Sequence, residues 1–80
     1  DGHLFRGLAL FKLEWFEEAT AALRRAVAID ETCAPAWFAL ADLGRNYLAE
    51  GTRVRDDLLH YLELGGDDPR AEDWFVEFDR

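Results

Sequence analysis

The sequence predicts an all-α protein of about five helices, built as two helical hairpins followed by a single helix. Two prolines, Pro35 and Pro69, lie 34 residues apart, and each begins a segment whose apolar residues recur with helical spacing. Residues 74–78 would also fit an extended strand, but the capping residues before them favour a helix. A repeat of this length is typical of hairpins that stack side by side. We therefore expect a short right-handed solenoid.

The first hairpin is predicted from two segments that differ in how their apolar residues are distributed. The first helix covers about residues 2–13 and is apolar on nearly all sides, which predicts burial on more than one side. The second helix covers about residues 16–29 and is apolar on one side only. Arg24 and Arg25 are assigned to its solvent-facing side, near the end where positive charge suits the helix dipole.

The second hairpin is predicted from the residues that begin and end its helices. Pro35 suits the first turn of the third helix, where a missing N–H is tolerated. That helix is expected to stop near Gly51, and Thr52 is expected to be the N-cap of the fourth helix. Gly65 and Gly66 should end the fourth helix.

A fifth helix is predicted after the second hairpin. Asp68 is its expected cap, with Pro69 at its first position. Its apolar residues recur on one side and are Ala71, Trp74, Phe75 and Phe78. This face either packs on the protein's own core or docks into another molecule, and the periodicity favours the core.

Composition excludes several classes of protein. Half of the residues are hydrophobic and 14% are aromatic, which is too apolar for intrinsic disorder. The chain has 17 acidic and 9 basic residues, and a net charge of -8 disfavours nucleic acid and anionic lipids. No apolar run approaches the roughly 20 residues that span a bilayer. The single cysteine, Cys33, excludes an internal disulfide framework and fits a reducing compartment, so we expect a cytoplasmic protein.

No group of residues predicts catalysis, a cofactor or a metal ion. His3 and His60 are far apart in sequence and have no ligands at suitable spacing, and Cys33 has no activating base nearby. The adjacent acidic pairs are expected to serve as caps and to favour solubility; they are Glu17-Glu18, Asp56-Asp57 and Asp67-Asp68.

Several residues resemble the motif of the tetratricopeptide repeat (TPR) family. The first unit matches at Gly7, Ala19, Ala26 and Asp30, and the second at Trp37, Leu40 and Ala41. The first unit departs from the motif at four positions: His3, Leu10, Glu14 (in place of the usual turn glycine) and Glu31. The resemblance implies one domain over residues 1–80, with a first repeat at about 1–33, a second at about 34–67 and a capping helix at about 68–80.

The resemblance also implies a groove that binds a protein or peptide, lined by the first helix of each hairpin. The corresponding residues here are Leu4, Leu8, Phe11, Lys12, Phe38, Asp42, Arg45 and Asn46. Some TPR domains bind the C-terminal carboxylate of chaperones through lysine, asparagine and arginine. Leu4, Leu8 and Ala39 stand at such positions here, so we expect an apolar helix or extended segment as the ligand instead.

Two interpretations of these residues remain open. Leu4, Leu8, Phe11 and Phe38 either line the groove or form core against a further repeat. Arg45 and Asn46 either anchor a ligand or belong to a solvated helix face, which their spacing favours. The predicted function is therefore a non-enzymatic protein-interaction module. The alternative is a structural segment of a longer solenoid or a self-association domain, which would form homo-oligomers.

Overall fold

The computed structural model describes residues 2–47 and 51–79, without the side chains of residues 51 and 52. This part of the chain forms five helices, which are α1 (Gly2–Lys12), α2 (Phe16–Ile29), α3 (Ala34–Asn46), α4 (Gly51–Glu63) and α5 (Pro69–Phe78). No strand occurs among the described residues, and residues 74–78 are helical. The predicted all-α class and the number of helices are therefore confirmed.

The turn between α1 and α2 depends on Glu14. This residue has a φ of 64°, in the left-handed region that glycine usually occupies after a helix. The Glu14 N–H donates to the Phe11 carbonyl at 2.9 Å, and the Trp15 N–H donates to the Leu10 carbonyl at 3.0 Å. This pair of hydrogen bonds is a Schellman motif. The chain reverses here although glutamate replaces the turn glycine.

The third helix begins as predicted and ends earlier than predicted. Pro35 lies in its first turn. The helix ends at Asn46, and the Tyr47 N–H donates to the Leu43 carbonyl at 3.0 Å. The predicted extension to near Gly51 is therefore wrong, because α4 already begins at Gly51.

The segment between α3 and α4 differs from the prediction in a second way and makes an unpredicted contact. Thr52 is the second residue of α4 and not its N-cap. The Tyr47 ring, immediately after α3, stacks on Phe16 of α2 with the ring centroids 4.3 Å apart. This contact joins the two hairpins, and a local pattern of apolar residues does not reveal it.

Helices that are consecutive in the chain pack against each other, α1 on α2, α2 on α3, α3 on α4 and α4 on α5. The approach of α1 to α2 is close at Gly7, where an added Cβ would lie 2.6 Å from the Leu23 Cγ. The largest fully buried side chains come from α2, α3 and α4, and they are Leu23, Leu43, Leu58 and Val54. The core is therefore shared by both hairpins.

A buried ion pair links α2 to α4. Arg24 donates from Nη1 to Asp57 Oδ1 at 2.7 Å and from Nη2 to Asp57 Oδ2 at 2.9 Å. Asp57 is only 2% exposed. Burial raises the pKa of Asp57, and the hydrogen bonds and charge of Arg24 oppose that rise. The assignment of Arg24 to the solvent side and of Asp57 to solubility is thus wrong, whereas Arg25 is exposed as predicted.

The fifth helix packs on the protein's own core. Ala71 and Trp74 are buried, which confirms the interpretation that the periodicity favoured. The Arg45 guanidinium of α3 lies over the Trp74 ring, 4.8 Å from its centroid, and Arg45 Nε donates to Glu77 Oε2 at 2.8 Å. Arg45 therefore holds α5 against α3.

Candidate functional site

An open groove of about 570 Å³ lies along α1 and α3, the first helices of the two hairpins. The end of α4 and the turn after it form the third side. We call this site the α1–α3 groove. It is lined by Leu8 and Phe11 of α1, by Ala34, Pro35, Phe38, Ala39 and Asp42 of α3, and by Tyr61, Leu64, Gly65, Gly66 and Asp67. Its volume lies within the roughly 300–1,000 Å³ of typical ligand sites.

Phe38 forms the aromatic part of the α3 wall. Its ring stacks on Trp74 of α5, with the ring centroids 5.3 Å apart and the ring planes 9° apart. It also contacts the Tyr61 ring of α4, with the centroids 5.1 Å apart. The Arg70 guanidinium lies 5.1 Å from the centre of the Phe38 ring. Phe38 is half-buried, so packing on two other helices fixes the ring while part of its surface remains exposed.

The third side of the groove begins where α4 ends. Gly65 has a φ of 84° and donates its N–H to the Leu62 carbonyl at 3.0 Å. The Gly66 N–H donates to the Tyr61 carbonyl, also at 3.0 Å. This is a second Schellman motif, here with the expected glycine. The predicted end of the fourth helix at these glycines is confirmed.

Tyr61 holds the turn between α4 and α5 in place. Its hydroxyl accepts a hydrogen bond from the Asp68 N–H at 3.1 Å, and a side chain at Gly66 would collide with its ring. The turn thus lies against Tyr61, which places Leu64 and Asp67 beside the groove.

Asp68 and Arg70 fix the start of α5. Asp68 Oδ1 accepts a hydrogen bond from the Arg70 N–H at 3.0 Å, which confirms the predicted N-cap. The Arg70 Nη2 donates to Asp68 Oδ2 at 2.8 Å. Hydrogen bonds from the Arg70 side chain and backbone hold the pKa of Asp68 below its ordinary value. The start of α5 is therefore ordered by local polar contacts.

The α1 wall rests on a cluster of three aromatic rings. The Phe11 ring makes edge-to-face contacts with Phe16 and with Tyr47, at distances of 5.9 and 5.4 Å between ring centroids. Phe11 and Leu8 are half-buried and pack against the core while lining the groove. This cluster joins α1 to α2 and to the end of α3, so the α1 side of the groove is supported by both hairpins.

Four of the eight predicted site residues line the α1–α3 groove, namely Leu8, Phe11, Phe38 and Asp42. Leu4 is half-buried and packs against the core. Lys12 is exposed and lies beside a separate depression on α1, next to Phe5. The assignment of the eight residues to partner binding stays a prediction.

Arg45 and Asn46 belong to a polar chain along α3. Arg45 Nη1 donates to Asn46 Oδ1 at 2.8 Å, and Asn46 Nδ2 donates to Asp42 Oδ1. Because Arg45 also pairs with Glu77, its guanidinium is already engaged within the protein. This arrangement weighs against Arg45 as an anchor for a ligand carboxylate.

Sequence reasoning missed the third side of the groove, which includes Tyr61, Leu64 and Asp67. The paired glycines correctly indicated a turn after α4. What they did not indicate is that the turn folds back against Tyr61, because that contact depends on the tertiary arrangement. Within the described residues, no three side chains from His, Cys, Asp and Glu are arranged to hold a metal ion.

No protein-family model, curated protein sequence or solved structure matches this chain. In the part of the chain that the structure describes, no helix combines the length and the apolar character needed to cross a bilayer. The geometry of the α1–α3 groove is therefore the feature from which a function can be inferred.

Proposed function

We propose that this chain is a non-enzymatic protein-interaction module that holds a short apolar segment of a partner protein in the α1–α3 groove. The observation that carries the proposal is a groove of about 570 Å³ with apolar side chains on all three sides, Leu8 on α1, Phe38 on α3 and Leu64 after α4. Exposed apolar surface of this kind favours burial against another polypeptide. The free cysteine and the charge suit a cytoplasmic adaptor or scaffold.

The proposal includes a TPR-like arrangement of the two hairpins as a short right-handed solenoid, with α5 as a capping helix. Two observations support it. Helices adjacent in the chain pack on one another, as stacked hairpins require. Gly7 and Ala19, both at TPR motif positions, lie at the close contact between α1 and α2.

Leu64 offers a sharper test of the groove than the aromatic residues do. Truncating Phe38 would also remove its contacts with Trp74 and Tyr61, so folding and binding would change together. Leu64 is 39% exposed and lies after the end of α4. Its truncation to alanine should remove groove surface at little cost to folding.

The experiment is an NMR titration of the isotope-labelled 80-residue chain with a capped nine-residue peptide that carries two leucines among serines. We expect shifts at Leu8, Phe38 and Leu64, with a dissociation constant on the order of 0.1–1 mM. Leu64→Ala should weaken binding by about 1 kcal/mol, or about fivefold, because part of a buried leucine's 1.5–3 kcal/mol is lost. The control, Val76→Ala, removes an exposed apolar side chain outside the groove. Binding that leaves the groove resonances unchanged would refute the proposal.

A second candidate function, self-association, is favoured by the outer face of α1. Phe5 is 69% exposed and Leu13 61% exposed, and with the exposed Ala9 they recur every fourth residue along one side. We call this set the α1 stripe. A stripe of this kind is suited to packing against another helix, from a second copy or a further repeat.

A further inference from the structure

We propose that the α1–α3 groove selects a basic ligand, a segment of a partner protein in which one or two large apolar side chains are flanked by lysine or arginine. This inference rests on the proposed function of the groove and adds the chemistry of its occupant. The apolar walls account for the anchoring side chains. The charges around the groove determine what flanks them.

Both charged residues that line the groove are acidic. Asp42 lies on α3 and Asp67 in the turn before α5. Neither forms an ion pair among the described residues; Asp42 accepts a hydrogen bond from Asn46 and interacts electrostatically with the Arg70 guanidinium, and Asp67 is exposed. Because no ion pair occupies either carboxylate, both can still accept a ligand cation. The net charge of -8 adds a long-range attraction for a basic segment.

The cations close to this wall are already engaged. Arg70 pairs with Asp68 at 2.8 Å, and Arg45 pairs with Glu77 at 2.8 Å. Both guanidinium groups also lie over the Trp74 ring, at 5.5 and 4.8 Å from its centroid. An acidic ligand would have to displace these contacts and approach two carboxylates, whereas a basic ligand leaves the contacts intact.

The size of the groove limits how much of the ligand it holds. Along α3 the lining runs from Ala34 to Asp42, which is about 12 Å at 1.5 Å per residue. This length matches about four extended residues or two turns of helix. One or two apolar anchors therefore fill the groove. The long side chains of flanking lysine or arginine reach the carboxylates of Asp42 and Asp67.

Three matched peptides test the charge of the ligand against the 80-residue chain. Each has the same two leucines, and the remaining positions are all serine, all lysine or all glutamate. We expect the lysine peptide to bind about 5–20-fold more tightly than the serine peptide at low ionic strength, and the glutamate peptide to bind more weakly. The advantage of lysine should fall steeply in 0.5 M NaCl, where the Debye length is only about 4 Å.

A pair of double variants separates the groove from the overall charge. Asp42→Asn with Asp67→Asn removes both groove charges, and asparagine at position 42 keeps an oxygen acceptor for Asn46. Glu17→Gln with Asp73→Asn removes the same charge from exposed positions that do not line the groove. We expect the first pair to reduce the lysine-to-serine affinity ratio about fivefold and the second pair to change it less than twofold.

The outcomes distinguish this inference from the proposed function. If the serine peptide shifts the groove resonances but lysine gives no advantage, or both double variants reduce that advantage equally, the inference is overturned and the proposed function stands. Tighter binding of the glutamate peptide overturns it in the same way. If no peptide shifts the groove resonances, both fail. If the groove resonances instead shift with protein concentration alone, the occupant is a second copy and the inference is overturned.

Discussion

Glu14 keeps a backbone conformation that costs folding free energy. Its φ of 64° lies in the left-handed region, which costs a residue with a side chain about 1–2 kcal/mol. The sequence alone identifies this position as unusual, because glutamate stands where the TPR motif has a turn glycine. The turn still forms because its two hydrogen bonds and the packing of α1 on α2 outweigh the local cost.

Glu14→Gly should therefore stabilise the protein. We expect a gain of about 0.5–1 kcal/mol in the free energy of unfolding, since relief of the left-handed strain exceeds the extra entropy of glycine in the unfolded chain. Urea denaturation followed by circular dichroism measures the change. Glu14→Ala is the control because it removes the carboxylate but keeps the strain. An equal gain in the alanine variant would assign the effect to charge.

Arg24 and Asp57 form the contact that the sequence least reveals. They lie 33 residues apart on helices α2 and α4, which are not consecutive in the chain. Each residue stands beside a similarly charged neighbour that is exposed, Arg25 and Asp56. The helical spacing indicates which acidic residue faces inward, because Asp57 lies three residues after Val54 and four before Tyr61 on the apolar face of α4. It does not indicate that Arg24 of α2 pairs with Asp57, because that contact depends on how the two hairpins are arranged.

Arg24→Met should destabilise the protein by about 3–5 kcal/mol at pH 7, because Asp57 is then a buried charge without its partner. Arg25→Met, at the neighbouring exposed position, should change the free energy of unfolding by less than about 0.5 kcal/mol. Arg24→Lys keeps the charge but not the paired hydrogen bonds and should lie between the two. Chemical denaturation of the three variants measures the differences. Equal effects of Arg24→Met and Arg25→Met would contradict the buried pair.

The cost of Arg24→Met should also depend on pH. Burial already raises the pKa of Asp57 above the ordinary 3.8, and loss of Arg24 raises it further. The folded state then binds the proton more tightly than the unfolded state. That contribution to stability is fully present below about pH 3.8 and is lost as pH rises through the folded-state pKa. The loss in free energy of unfolding caused by Arg24→Met should thus be smaller at pH 4 than at pH 7. A loss that is the same at both pH values would exclude the charge of Asp57 as its cause.

At the scale of the helices, the sequence predicts correctly those helix ends that depend on residues close by in the chain. α2 has the predicted bounds, α1 ends one residue early, and Asp68 caps α5 as expected. The end of α3 was predicted wrongly. Glycine is typical of a helix C-terminus, but Gly51 lies at the start of α4. The Tyr47 ring, directly after α3, stacks on Phe16 of the first hairpin, a contact that the local sequence pattern does not reveal.

Gly7→Ala should weaken the packing of α1 on α2. An added Cβ would lie 2.6 Å from the Leu23 Cγ, and Leu23 is fully buried, so the helices must move apart or Leu23 must leave its rotamer. We expect a loss of about 1–3 kcal/mol in the free energy of unfolding. Gly2→Ala is the control because no atom lies within 4 Å of an added Cβ there. Thermal unfolding of both variants measures the difference, and equal melting temperatures would argue against a close contact at Gly7.

At the scale of the whole molecule, the sequence predicts two sides of the groove but not the third. Leu8 and Phe38 were placed there because the TPR resemblance assigns the first helix of each hairpin to ligand binding. Leu64 and Asp67 could not be placed, because their position depends on how the α4–α5 turn packs against Tyr61. The sequence thus assigned one acidic residue, Asp42, to the groove, whereas the structure adds Asp67 and leaves the predicted Lys12 and Arg45 outside its lining.

The net charge and the α1 stripe have opposite effects on self-association. Two copies that each carry a charge of -8 repel one another, and added salt screens that repulsion. Contact between two stripes buries Phe5 and Leu13, which attracts the copies at any ionic strength. Salt should consequently strengthen self-association, whereas it weakens the binding of a basic ligand in the groove. The sign of the salt dependence thus tells the two interactions apart.

Analytical ultracentrifugation of the 80-residue chain should accordingly show dimers or larger species at high protein concentration, with a larger share in 0.5 M NaCl than at low salt. Phe5→Ser should reduce the share of dimer, because it removes the largest exposed side chain of the α1 stripe. Val76→Ser removes an exposed apolar side chain on α5 and should leave the share unchanged. A monomer at millimolar concentration in high salt would show that the α1 stripe does not bind a second copy. An equal loss in both variants would mean that association is non-specific and does not depend on the α1 stripe.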